Sequence, residues 1–190
     1  IKLESYNISG YVAAIKAAQK GLKTVCIEKR GTLGGTCYNV GCIPSKAMLN
    51  ATHKLHEAQH DLKGLGVALE GVSMDYDVLK KYSAKTVGNL TGGIEQLLSK
   101  NKVAYLKGWG KFSSSNEIEV DLNDGGTQMI KAKNTIIATG SEPCPLHGDI
   151  IKTDGVYVIN SDHAFDIKKV PKKMVVVGAG VIGLELGSVF

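Results

Sequence analysis

Gly34-Gly35-Thr36-Cys37-Tyr38-Asn39-Val40-Gly41-Cys42-Ile43-Pro44-Ser45-Lys46 sets two cysteines five positions apart in a glycine-rich frame, and its reading decides how the rest of the chain is organised. Residues i and i+5 point to different sides of a regular helix, so a bridge between these two needs Cys37 on a loop or distorted turn leading into the helix. Gly41 allows such a distortion. Pro44 suits the first turn of the following helix, where its missing N–H costs nothing. Cys42 then lies at the helix start, where the macrodipole favours a thiolate. Two readings without redox chemistry stand beside this one: two buried, unpaired cysteines, or half of a zinc site. A zinc site wants a second cysteine pair at knuckle spacing, and Cys26 and Cys144, far apart in the chain, do not make one, which leaves no metal ligands assigned. Spacing alone leaves redox function and the unpaired reading open.

Upstream, Val12, Ala13, Ile15, Ala17 and Ala18 recur at helical spacing over residues 10–19, and Gly21 supplies a stop. Val25, Cys26 and Ile27 then form a short buried-strand signature over 23–28 that ends in an acidic residue. Helix followed by strand suggests a βαβ unit whose first strand lies just upstream. Downstream, the helical pattern runs from Cys42 through Met48, Leu49, His53, Leu55 and His56. A longer helix is expected over 75–101, interrupted at Gly92-Gly93. Short alternating runs over 103–131, separated by Gly108, Gly110, 113–115 and 123–126, read as a small antiparallel sheet. Residues 135–138 form another apolar strand ending at Thr139-Gly140-Ser141.

Prolines, glycines and lysine pairs over 142–173 have linker or surface-loop composition, and a domain boundary is expected there. Residues 174–177 read as the most apolar strand in the chain, running straight into Gly178-Ala179-Gly180-Val181-Ile182-Gly183 and a helix. The expected architecture is α/β: a doubly wound parallel sheet with a small antiparallel sheet inserted over 1–145, and the beginning of a second dinucleotide-binding domain over 146–190.

Composition narrows the function. The chain has 190 residues, 43% hydrophobic, so a packed core rather than disorder is expected. Its formal charge of +5 arises from 23 basic and 18 acidic residues scattered along the sequence with 6% aromatics, which argues against a nucleic-acid surface. No apolar run approaches the roughly 20 residues that cross a bilayer, and no basic start precedes an apolar core, so neither a membrane span nor secretion is expected. Four cysteines are too few for the disulfide framework of a small secreted domain.

The thirteen residues quoted first resemble the disulfide helix of the class I pyridine nucleotide-disulfide oxidoreductases, and Ile43-Pro44-Ser45-Lys46 followed by Ala47 is similar to the dihydrolipoamide dehydrogenase branch of that family rather than to glutathione reductase. The resemblance runs through Glu28-Lys29-Arg30-Gly31-Thr32-Leu33 and extends over about 10–190. It implies an FAD-binding Rossmann-like domain and the start of an NAD-binding one. It implies Cys37 as the interchange thiol, Cys42 as the thiol nearest the flavin, and a disulfide between them. Lys46, four residues past Cys42 and hence on the same helix face, matches the family's lysine near the flavin. Glu28, at the end of a strand about twenty residues after the phosphate-binding turn, is placed to accept hydrogen bonds from the adenosine ribose. Lys29, Gly35, Thr36, Gly110, Thr139, Gly140 and Ser141 fall in the family's flavin-nucleotide segments. Gly178, Gly180 and Gly183, between a strand and a helix, fit the nicotinamide-nucleotide loop, with Glu185 in the same segment.

The family's first phosphate loop has the form GxGxxG. Here those positions read Ser5, Tyr6, Asn7, Ile8, Ser9 and Gly10, so only Gly10 remains, and 1–4 look too short and too charged for a central parallel strand. Tyr38 replaces the usual leucine. None of His53, His56, His60, His147 and His163 occupies the segment of the family's catalytic histidine, and the first three read as solvated. The resemblance therefore implies oxidation of dihydrolipoamide to lipoamide with FAD and NAD+, in a homodimer acting on lipoyl domains of 2-oxoacid dehydrogenase complexes, in the mitochondrial matrix or a bacterial cytoplasm. The isolated chain is expected to lack lipoamide reductase activity. A catalytically silent form that only binds the parent enzyme or its complex, and a mercuric or glutathione reductase, are the alternatives.

Overall fold

In the computed structural model the described residues are 2–4, given as backbone, together with 8–145 and 150–190. The chain falls into two compact units, one of 1–39 with 88–142 and the other of 40–87 with 143–190.

The first unit holds β1 (Lys2–Glu4), α1 (Ile8–Gln19), β2 (Val25–Glu28), β3 (Ala104–Ser114), β4 (Glu117–Leu122), β5 (Thr127–Lys131) and β6 (Thr135–Ile136). These strands make one six-stranded sheet in the order β5-β4-β3-β2-β1-β6. β1, β2, β3 and β6 pair in parallel, and β3, β4 and β5 pair antiparallel, so the sheet is mixed. The α/β expectation holds.

In this unit two strand expectations are corrected. Residues 2–4 do form a central parallel strand: Leu3 is in register with Cys26 on one side and Ile136 on the other. The ladder is built from backbone groups, which lysine and glutamate carry as well as valine does, and two flanking ladders compensate for its shortness. Nor do Gly108 and Gly110 divide 104–114, which is one eleven-residue strand. Its first part pairs with β2 and its later part with β4, so the antiparallel strands extend the parallel sheet rather than forming a separate one.

Tyr11, Ala14, Cys26, Leu33, Ile94, Leu98 and Val103 form the main core of this unit, and Ile27, Ile118 and Val120 a smaller one on the sheet. Ile94 and Leu98 come from α4 (Tyr76–Lys100), which runs unbroken through Gly92-Gly93, against expectation. Burial of Thr91, Ile94 and Leu98 along one face outweighs the roughly 0.5–1 kcal/mol that each glycine costs relative to alanine.

The second unit holds α3 (Cys42–His56), a π-helical turn over Glu57–Asp61, a 3-10 turn over Leu62–Leu65, the first part of α4, a 3-10 turn over His163–Asp166 and α5 (Val181–Val189). Tyr76 Oη and Lys80 Nζ both donate to the Ile167 carbonyl, at 3.2 and 3.0 Å. Residues 174–177 are not a strand: Val175 is 88% exposed and no ladder reaches this segment among the described residues. Extended backbone becomes a strand only beside a hydrogen-bonding neighbour, whatever its apolar content.

Candidate functional site

Cys37 lies on α2 (Gly35–Val40), a separate six-residue helix where a loop or distorted turn was expected. So short a helix is marginal in water and has to be held from outside. Asn39 does part of this. Its Nδ2 donates to the carbonyls of Leu33 and Gly35 at 3.1 and 2.9 Å, and its Oδ1 accepts from Thr32 Oγ1 at 2.7 Å. Leu33, fully buried, anchors the preceding turn in the core. Gly34 and Gly35 adopt φ of +100° and +63°, and a Cβ on Gly34 would meet the Cβ of Tyr38 at 2.5 Å, so glycine is required twice over at position 34.

Gly41 separates α2 from α3 and occupies the N-cap position of α3, which begins at Cys42 and carries Pro44 in its first turn, as expected. Cys37 and Cys42 are both disulfide-bonded, whereas Cys26 and Cys144 are free. The pair is therefore bridged, and the reading of two unpaired cysteines falls. Cys37 is half-buried and Cys42 exposed.

The strand order supplies the other half of the geometry. From β2 through β1 to β6 the sheet passes the point where successive connections leave in opposite directions, and in open α/β sheets dinucleotides bind at the carboxyl ends of the strands beside that switch. β2 ends there at Glu28, whose side chain is 1% exposed and whose Oε1 accepts the Arg30 N–H at 2.8 Å. Beyond β6 lie Thr139, Gly140 and Ser141, and Thr36 Oγ1 donates to the Ser141 carbonyl at 3.3 Å, joining two of the segments assigned to the flavin nucleotide. Gly10 is buried in the first turn of α1, while Ser5, Tyr6 and Asn7 lie outside the described residues. Lys29 Nζ stands 3.5 Å over the Trp109 ring, and Gly110 follows in β3. Asn123 Nδ2 donates to the Lys29 carbonyl at 2.9 Å, tying the β4–β5 turn to the end of β2. Beneath Glu28, burial and that carboxylate push the Cys26 thiol up to about 12, which makes it inert at neutral pH. A buried acid at a strand end beside the switch point fits the adenosine end of FAD.

In the second unit Gly178 has φ of +115°, and Gly180 is the N-cap residue of α5. A Cβ on Gly183 would collide with the Gly178 carbonyl oxygen, so only glycine permits this loop-to-helix closure. Val176, Gly178, Ala179, Gly183, Leu184 and Gly187 line an open groove of about 340 Å³. A helix N-terminus facing a glycine loop fits a pyrophosphate. In the same unit Lys46 Nζ and Glu185 Oε1 form an ion pair at 2.5 Å. Sequence spacing had no signal for that pair, whose members lie 139 positions apart. Thr32, Asn39 and Asn123 were missed as well, since their partners lie on other turns of the chain. His53 and His56 lie on α3 and His60 on the π-helical turn, all exposed, with the His56 and His60 rings 4.5 Å apart; His147 lies outside the described residues.

A mixed sheet with a switch point, a disulfide at a helix start and a glycine loop before a second helix define a dinucleotide-dependent disulfide oxidoreductase fold. The chain belongs to the family described as pyridine nucleotide-disulphide oxidoreductase, whose pattern matches residues 7–190. It is 54% identical over 181 residues to a leghemoglobin reductase of Vigna unguiculata, covering 95% of this chain and 34% of that protein. It is 55% identical over 182 residues to a dihydrolipoyl dehydrogenase of Trypanosoma brucei brucei (95% and 38%), and 52% identical over 181 residues to the mitochondrial dihydrolipoyl dehydrogenase 1 of Arabidopsis thaliana (95% and 35%). The chain thus spans little more than a third of the length of these relatives. These similarities bear out the resemblance drawn from the disulfide segment, and family membership implies FAD and NAD(H) as cofactors.

Proposed function

We propose that the protein oxidises dihydrolipoamide to lipoamide with NAD+, through the Cys37–Cys42 disulfide and FAD. The observation that carries this reading is the bridged cysteine pair, set in a segment whose Ile-Pro-Ser-Lys continuation is that of the dihydrolipoamide branch. A dihydrolipoamide thiolate attacks Cys37 Sγ and Cys42 leaves as thiolate; the second substrate thiol then displaces Cys37, so the substrate closes to a disulfide and the protein is left as the dithiol. FAD, when bound, would supply the two-electron transfer between that dithiol and NAD+. Residues 1–145 would serve the flavin, with Gly10, Glu28, Lys29, Gly35, Thr36, Lys46, Gly110, Thr139, Gly140 and Ser141 as its contacts. Residues 146–190 would begin the NAD domain, with Gly178, Gly180, Gly183 and Glu185 at the pyridine nucleotide. Service to 2-oxoacid dehydrogenase complexes as a homodimer, through lipoyl domains, and a mitochondrial location follow from the same reading, supported by relatives whose names include the word mitochondrial.

The test has two arms. Dihydrolipoamide is expected to reduce the Cys37–Cys42 disulfide in preference to glutathione, seen as two additional titratable thiols; a preference for glutathione overturns the substrate assignment. FAD added to the chain is expected to remain after desalting and to quench Trp109, the sole tryptophan. A colourless, unquenched protein would support the silent form instead, which the serines and asparagine in the first phosphate loop favour. Whichever form holds, NADH-dependent reduction of lipoamide by the chain alone is expected to be absent.

A further inference from the structure

The residue after Cys37 is tied to the core in a way the disulfide chemistry does not account for. Tyr38 replaces the leucine of the related pattern, and its ring meets Tyr11 of α1 edge-on, with centroids 6.3 Å apart and planes at 79°. Tyr11 is 9% exposed and belongs to the main core, against which Tyr38 packs. The Tyr38 Cβ fills the space left open by the missing side chain of Gly34. Burial, and after it the neighbouring Tyr38 phenol, push the Tyr11 hydroxyl up to about 12. Next to Tyr38, the Asn39 amide holds the same turn to Leu33 and Gly35. A helix of six residues has little stability of its own, so the two residues that follow Cys37 contribute to fixing it in space, beside the anchors at Leu33 and Thr36.

We propose that Tyr38 is a positioning residue for the redox disulfide, holding the turn that carries Cys37 to α1 through Tyr11. The proposal rests on the reading of Cys37 and Cys42 as the redox pair. It adds that Tyr38 raises the effective concentration of the Cys37 thiol beside Cys42, and so favours the disulfide over the dithiol. Loosening the turn makes the bridge easier to reduce, without change at Cys42 or its helix.

The 190-residue chain is equilibrated in glutathione buffers, where protein disulfide and two glutathiones exchange with protein dithiol and one glutathione disulfide, and the reduced fraction is read by alkylation and mass spectrometry. Tyr38→Leu is expected to shift that equilibrium about fivefold toward the dithiol, the scale of one lost aromatic pair. Tyr38→Phe, which keeps the ring and removes the hydroxyl, is expected to shift it about twofold and serves if the leucine variant fails to fold. Tyr11→Leu combined with Tyr38→Leu is expected to shift it no further than Tyr38→Leu alone, because each substitution breaks the same link. An unchanged equilibrium in the folded Tyr38 variants, or additive shifts in the double variant, overturns the proposal. The readout needs neither flavin nor nucleotide, so it stands or falls separately from lipoamide turnover.

Discussion

The four cysteines show how much a residue's environment decides. Cys144 is exposed and free, Cys26 is fully buried and free, and Cys37 and Cys42 are bridged. A thiol reagent added to the native, unreduced chain is therefore expected to modify Cys144 alone at first, with Cys26 reacting only on unfolding. A mass spectrum showing early modification of Cys26 would contradict that burial. Reduction adds two thiols, and Cys37→Ser should leave Cys42 reactive without any reductant. Glu28 is a second case. Its carboxylate is buried at the end of β2 with one oxygen on the Arg30 N–H, so Glu28→Gln keeps the shape and the acceptor but loses the charge. If that acid holds a ribose, flavin affinity by equilibrium titration should fall about tenfold, the scale of one hydrogen bond to a charged group. Cysteine identity and spacing were legible along the chain, as was an acid at a strand end. Which cysteines pair and which is inert were not, because those depend on the burial and the approach of distant backbone that only the fold imposes.

Among the elements, the helices were the most legible. Their apolar period survives folding unchanged, as α1, α3 and α4 show within two residues of expectation. The glycine pair in α4 misled because propensity is a local quantity and burial is not. No atom within 4 Å would meet a Cβ at Gly92, so Gly92→Ala should raise thermal stability, by about 0.5–1 kcal/mol. A lower melting temperature would mean that the helix needs its glycine for a reason beyond packing. Gly183→Ala is expected to act in the opposite sense, since its Cβ would strike the Gly178 carbonyl and push the loop from α5. Strands were legible only in part. β2 could be read from its apolar run, but β1 and 174–177 each went the other way, since a strand is a statement about its neighbours.

At the scale of the molecule, burial of ionisable side chains makes folding depend on pH at the alkaline end. Cys26 has its thiol raised from 9.0 to about 12 in the folded chain, so the protonated form is favoured there. Below pH 9 both states keep the proton and the native state keeps its full stability. Above it the unfolded chain ionises first, and stability falls by at most about 1.4 kcal/mol per pH unit until the folded thiol titrates as well. Tyr11 acts in the same direction from 10.0 upward. The denaturant midpoint is therefore expected to drop between pH 9 and 12, less steeply in Cys26→Ala; a midpoint flat across that window would show that Cys26 is not buried in the folded state.

The sequence by itself determined the helices, the α/β class, the family and the candidate residues, because periodicity, glycine placement and the spacing of two cysteines are properties of adjacent positions. Only the tertiary structure decided that β1 is central, that one sheet carries both parallel and antiparallel ladders, that Lys46 meets Glu185, and that Tyr38 leans on Tyr11. Each of these joins groups far apart in the chain or sets a residue against a partner on another element. The physical terms involved, backbone ladders, ion pairing and shared burial, act across space rather than along the sequence.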